Sequence, residues 1–201
     1  MHTDFVYLDE AVPGLLWDAK YATGDNFTGA PVDGYFANRV VGTKELARAL
    51  QKALELAKAQ GYTLLVWDAY RPARAVRRFL RWAGETEDYR TKDAHYPNIQ
   101  KTDIVPLGYV ATESSHSRGS AVDLTLADAR THNPIGMGGI FDLMDEASHH
   151  SAKQPEEIRE NRARLKDIMT QCGFAPYENE WWHYRLRNEP YPDTYFDFPI
   201  E

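Results

Sequence analysis

Cysteine is almost missing from this 201-residue chain: Cys172 is the single one. An internal disulfide is therefore excluded, and a reducing compartment, the cytoplasm, is the expected setting. Long apolar runs are missing too. None approaches the ~20 residues a membrane-spanning helix needs, so no membrane partner is expected. The opening Met-His-Thr-Asp-Phe-Val-Tyr-Leu-Asp-Glu is acidic and interrupted, unlike a signal peptide. Positive charge is in deficit, with 23 Lys and Arg against 30 Asp and Glu for a net −7. A nucleic-acid partner is disfavoured, because phosphate binding needs a basic surface. Fixed-period repeats and low-complexity tracts are absent as well. What remains is ordinary globular composition, 43% hydrophobic and 26% charged. The length predicts one domain over 1–201 with a real core, and a homo-oligomer stays open.

One stretch draws the chain together: Ser114-Ser115-His116-Ser117-Arg118-Gly119-Ser120-Ala121-Val122-Asp123-Leu124-Thr125-Leu126. Val122, Leu124 and Leu126 alternate with Asp123 and Thr125, the period of a strand with one apolar face. A two-residue hairpin turn at Gly119-Ser120 would set His116 directly opposite Asp123. Paired residues on one hairpin face have Cβ atoms roughly 4.5–5.5 Å apart. An imidazole and a carboxylate there can converge on one cation such as zinc, or form a plain ion pair. A catalytic zinc needs a third protein ligand. His183 in Glu180-Trp181-Trp182-His183-Tyr184-Arg185-Leu186 is the natural candidate, the alternative being a buried core histidine. A regular strand puts Glu180 and His183 on opposite faces, so sharing a site requires a turn or bulge at the strand's start.

Elsewhere the patterns are conventional. Thr43 suits an N-cap for a helix from Lys44 to Gln60, with Leu46, Leu50, Ala53, Leu54 and Ala57 on one stripe and Gly61 as stop. Residues 62–68 read as a buried strand. Pro72 then suits the start of a helix over 73–83, with Val76, Phe79, Leu80 and Ala83 inward. Arg71 sits at the lip between the two, either as a working side chain or as a surface arginine bonding Asp68 or a carbonyl. Residues 84–110 are expected to wander over the surface. Residues 127–152 exceed an ordinary loop and suggest a covering or binding segment. His149 and His150 fall within it, and solvent or capping roles are expected of them. A helix over Pro155 to Cys172 carries Ile158, Leu165, Ile168, Met169 and Cys172 inward, making a buried free thiol of Cys172 and disfavouring a cysteine hydrolase. Tyr21 to Gly29 is a turn-rich loop. The aromatic, Pro-rich tail from Tyr191 is expected to pack over the core as a lid.

The combination Ser-x-His-x6-Asp, then Glu-Trp-Trp-His, with Asp-Ala-Tyr-Arg-Pro upstream, resembles the zinc D-alanyl-D-alanine dipeptidases of the VanX type, relatives of the zinc D,D-carboxypeptidases. The likeness extends to the Tyr21–Gly29 loop, the Phe141-Asp142 region and the tail. It implies an α+β fold, a mainly antiparallel sheet with packed helices in the manner of the zinc D,D-peptidases. It also implies one Zn2+ held by His116, Asp123 and His183, with Glu180 as base and Arg71 stabilising the transition state. Asp142 would meet the ammonium of a D-Ala-D-Ala substrate, with Tyr21, Ser114 and Ser115 lining the pocket. Gly24 and Ala69 depart from the family's pattern but touch neither ligands nor base, so they bear on fine specificity. The role implied is removal of D-Ala-D-Ala from the cell-wall precursor pool, in vancomycin-type resistance or in dipeptide salvage. A D,D-carboxypeptidase or a non-catalytic zinc domain are the rival readings. The missing signal peptide counts against the first, and an intact Glu180 and Arg71 against the second.

Overall fold

The apolar periodicities resolve into two layers, a sheet and the helices that cover it. The computed structural model describes residues 1–201. Seven strands form: β1 Phe5–Tyr7, β2 Leu16–Trp17, β3 Val41–Thr43, β4 Tyr62–Asp68, β5 Ala121–Asp128, β6 Phe174–Tyr177 and β7 Glu180–Leu186. Five of them make the main sheet, in the order β2-β4-β5-β7-β6, and β1 pairs with β3 separately. Every pairing is antiparallel except β2 with β4. The expected α+β class, mainly antiparallel, is what the chain adopts.

Helices α1 (Leu8–Ala11), α2 (Lys44–Ala59), α3 (Ala73–Gly84), α4 (Lys92–His95) and α5 (Glu156–Gln171) complete it. Thr43 caps α2 as expected, its Oγ1 accepting from the Leu46 N–H at 3.2 Å. The stripe from Leu46 to Ala57 is buried against β4, and Gly61 follows the helix with φ +84°. Helices α2 and α5 touch each other, and α5 also lies on β6 and β7. On α5, Leu165, Ile168 and Met169 are buried as predicted, but Asn161 and Arg162 are buried with them. Cys172 sits one residue past α5, half-buried rather than buried, because the helix stops before the stripe reaches it.

Two bulges distort the main sheet. Val66 faces Leu124 while Asp68 faces Asp123, so Trp67 is the extra residue on β4. At the other side Tyr177 faces Glu180 and Pro176 faces Tyr184, leaving 181–183 as a bulge in β7. Pro176 has no N–H to donate, and it lies on an edge strand where such an interruption is tolerated.

Residues 84–110 do more than wander over the surface. They form α4 and a 3-10 turn over Lys101–Asp103, and they bury Tyr96 and Ile104 against the core. Apolar side chains within a polar stretch are what pull it inward. The tail covers core, as expected, around Phe5 and Tyr70: Phe198 stacks on Tyr70 at 4.3 Å, and Phe196 meets the Phe5 ring edge-on at 4.9 Å. His149 ends the Glu146–Ser148 turn in a capping position, whereas His150 is half-buried with its ring 6.4 Å from Tyr184.

Candidate active site

The segment around His116 is not a hairpin. Ser115–Arg118 form one 3-10 turn, capped by Ser114, whose Oγ accepts from the His116 N–H at 3.3 Å. Gly119 closes the turn with φ +77°, and its N–H bonds the His116 carbonyl at 2.9 Å. Beneath Gly119 lies Phe5: a Cβ at this position would stand 2.2 Å from a Phe5 ring carbon. Glycine thus serves the positive φ as expected, but in a helical C-cap against a distant aromatic rather than in a strand reversal. Asp123 meets its partners across the sheet instead, with His183 opposite on β7 and Asp68 opposite on β4.

His116, Asp123 and His183 converge nevertheless, with one donor atom from each within 4.8 Å of the others. His116 donates its Nδ1–H to the Ala69 carbonyl at 2.6 Å, which leaves Nε2 with its lone pair facing the cluster. That Nε2 lies 3.0 Å from His183 Nδ1 and 3.3 Å from Asp123 Oδ2, and His183 Nδ1 lies 3.0 Å from Asp123 Oδ1. Tetrahedral ligands at ~2.0–2.1 Å from a zinc ion stand about 3.3 Å apart, so the spacing suits one such ion. Burial disfavours the Asp123 carboxylate, but His116 and His183 outweigh it and hold its pKa below the usual range. Ser115 Oγ lies 3.4 Å from His183 Nε2, on the ring's far side.

The β7 bulge turns Glu180 toward the same cavity, with Oε2 3.7 Å from His183 Nδ1. Burial pushes its pKa up to about 7, against the pull of His183 and with the support of Asp123. Arg71 is largely buried rather than a surface arginine, although it does bond Asp68. Its Nε donates to Asp68 Oδ2 at 2.9 Å, its Nη2 to Asp123 Oδ2 at 3.3 Å, and the side chain still lines the cavity. Its guanidinium carbon lies 5.0 Å from the Tyr21 ring centre and 5.3 Å from that of Phe79. Asp68, named in the sequence only as a bonding partner for Arg71, is buried and anchors this corner. It accepts from Tyr35 Oη at 2.7 Å and lies 3.5 Å from His116 Nδ1. Its place three residues before Arg71 was the one available signal.

Asp142, in the left-handed region at φ +58°, accepts a bond from Tyr21 Oη at 2.7 Å. Burial, with Asp123 adding to it, raises the Asp142 pKa well above the carboxylate range. All nine residues predicted for the site line one cavity of about 370 Å³, with Phe27, Val76, Phe79 and Trp182 among its apolar walls. No tail residue lines it, so the tail is a lid over core and not over this cavity. The cavity lining carries four carboxylates, Glu113, Asp123, Asp142 and Glu180, against two arginines, Arg71 and Arg185. That balance invites further positive charge.

The family model described as D-ala-D-ala dipeptidase matches residues 1–201. The D-alanyl-D-alanine dipeptidase of Enterococcus faecium is 57% identical, and that of Streptomyces coelicolor 58%, each over 100% of both chains. The Escherichia coli D-alanyl-D-alanine dipeptidase is 36% identical over 92% of this chain and 85% of its own. Among solved structures, the vancomycin-resistance D,D-pentapeptidase VanY in complex with Zn(II) aligns at 19% identity and TM-score 0.47, over 76% of each chain. Identity of this level along the whole length, and a family match from end to end, show that the chain belongs to the D-alanyl-D-alanine dipeptidases, a family of peptidases.

Proposed function

We propose that this chain hydrolyses free D-alanyl-D-alanine to two D-alanines, with one zinc ion held by His116, Asp123 and His183. The observation that carries the reading is the single cavity that gathers this donor set, Glu180, Arg71 and Asp142. When bound there, zinc supplies Lewis-acid activation of water, lowering its pKa from ~15.7 towards ~7. Glu180 accepts the proton of the attacking water and passes it to the departing amine nitrogen. Arg71 donates to the carbonyl oxygen as negative charge develops on it, held in aim by Asp68. Asp142 pairs with the substrate ammonium, and Tyr21 steadies that carboxylate. Ser114 and Ser115 line the wall beside the His116 turn. An acylated amine brings no charge to Asp142 and leaves a buried acid unpaired, so longer peptides are rejected. The consequence for a cell is depletion of the D-Ala-D-Ala precursor in the cytoplasm, for glycopeptide resistance or for salvage.

The test is D-alanine release from free D-Ala-D-Ala and from its N-acylated form, each with and without a chelator. Chelator-sensitive cleavage of the free dipeptide alone is the expected result. Cleavage of the acylated peptide at a comparable rate would make the chain a D,D-carboxypeptidase and remove Asp142 from its role.

A further inference from the structure

The carboxylate assigned to the substrate ammonium rides on a segment with almost no regular structure. Between β5 and α5 the chain forms only the short turn Glu146–Ser148, and Asp142 holds a positive φ that residues with a side chain rarely adopt. Such a conformation persists only where its surroundings over-determine it. The anchor is Arg162, on the buried face of α5. Its Nε donates to the Met137 carbonyl at 2.7 Å, Nη1 to the His149 carbonyl at 2.9 Å and Nη2 to the Ala147 carbonyl at 2.9 Å. The three acceptors lie on both sides of Asp142 in sequence, so one planar guanidinium ties the two ends of the segment to one helix. The neighbouring Asn161 adds a bond to the Gly136 carbonyl at 3.0 Å.

This is an expensive way to fill a core position. Arg162 is 4% exposed and makes no ion pair, and its guanidinium carbon lies 5.8 Å from the Trp181 ring centre. A buried cation without an anion is held here because each of its three nitrogens finds a carbonyl. A leucine on the stripe from Ile158 to Leu165 would fill the space but leave three carbonyls without their donor, so tethering the segment is what the arginine contributes. Nearer the tip, His95 holds the segment twice: its ring Nδ1 lies 3.1 Å from the Asp142 carbonyl, and its own carbonyl accepts from the Met144 N–H at 2.7 Å.

We propose that Arg162 is a positioning residue for Asp142 and thereby sets how tightly the ammonium end of the substrate is bound. The inference rests on the assignment of Asp142 to the ammonium. A lysine at 162 keeps the charge but lacks the rigid fork and cannot hold three diverging carbonyls.

The experiment uses zinc-loaded enzyme and free D-Ala-D-Ala, comparing wild type with Arg162→Lys, Asp142→Asn and the double variant. Arg162→Lys is expected to raise KM about tenfold or more while kcat changes little, because misplacing a binding group by ~1 Å costs up to 10²-fold. Zinc content should stay at one per chain. In the double variant the Arg162→Lys effect on KM should vanish, since the group being positioned is gone. A second variant, Arg162→Ala, should recover its KM on addition of guanidinium ion at sub-denaturing concentration. Unchanged KM in Arg162→Lys, or an effect that persists undiminished beside Asp142→Asn, would overturn the proposal. So would loss of zinc with kcat falling in step, or failure of guanidinium to restore KM in Arg162→Ala. An Asp142→Asn variant with wild-type KM would instead strike the ammonium assignment itself.

Discussion

At the scale of single residues the sharpest question is what Glu180 does. Its carboxylate lies 3.7 Å from His183 Nδ1, near enough to bind a metal or to serve a water beside one. In the proposed reading His116, Asp123 and His183 supply the three protein ligands that a catalytic zinc needs, which leaves Glu180 the proton. Glu180→Ala should therefore lose roughly 10²–10⁴-fold in kcat, the range typical of a missing acid–base group. Zinc should remain at one per chain, measured by elemental analysis after dialysis. A protein stripped of metal would make Glu180 a ligand instead. Asp68 matters at the same scale because it bonds Arg71 and approaches His116 together, linking the arginine to the His-Asp-His cluster.

Among the elements, the 3-10 turn at Ser115–Arg118 is the most exacting. Its closing residue combines a left-handed backbone with close contact to Phe5 and, at 3.2 Å from a built Cβ, to Thr43. Gly119→Ala should destabilise by about 2–4 kcal/mol, combining the left-handed penalty with overpacking. The check is the midpoint of urea unfolding. Zinc affinity should weaken as well, since the turn carries His116 and the Phe196 N–H bonds the Ser117 carbonyl at 2.8 Å from behind. The tail thus acts on the site indirectly, as a strap across the back of the turn.

For the molecule as a whole, acid stability offers a test remote from the site. Burial is the main cause pushing the His150 pKa down to about 4, with Lys166 next and Arg162 in the same direction. A folded pKa below the ordinary 6.5 means that protonation favours the unfolded chain. This contribution is complete above pH 6.5 and is lost as pH falls from there through about 4. Wild type should therefore lose stability relative to His150→Gln over that window. Thermal midpoints of the two proteins, measured from pH 7 to pH 4, should converge or cross. A constant gap would mean that His150 accepts its proton in the folded state as readily as in the unfolded one.

What the sequence determined alone was whatever depends on near neighbours. The stripe of α2, the Thr43 cap and the stop at Gly61 follow from local spacing, and so do the alternation along β5 and the resemblance that named nine site residues. The structure brings those nine to one cavity. Tertiary structure decided the rest. Gly119-Ser120 is locally compatible with a hairpin or a helical cap; the folded chain adopts the cap, with Phe5, more than a hundred residues away, packed where a Cβ would stand. Asp123 faces His183 through β5–β7 pairing, which no local pattern specifies. The bulge that admits Glu180 to the cavity, the one that sets Asp68 opposite Asp123, and the burial of Arg162 within an apolar stripe are equally non-local. Period encodes which side chains share a face; only the packed chain settles which distant groups those faces meet.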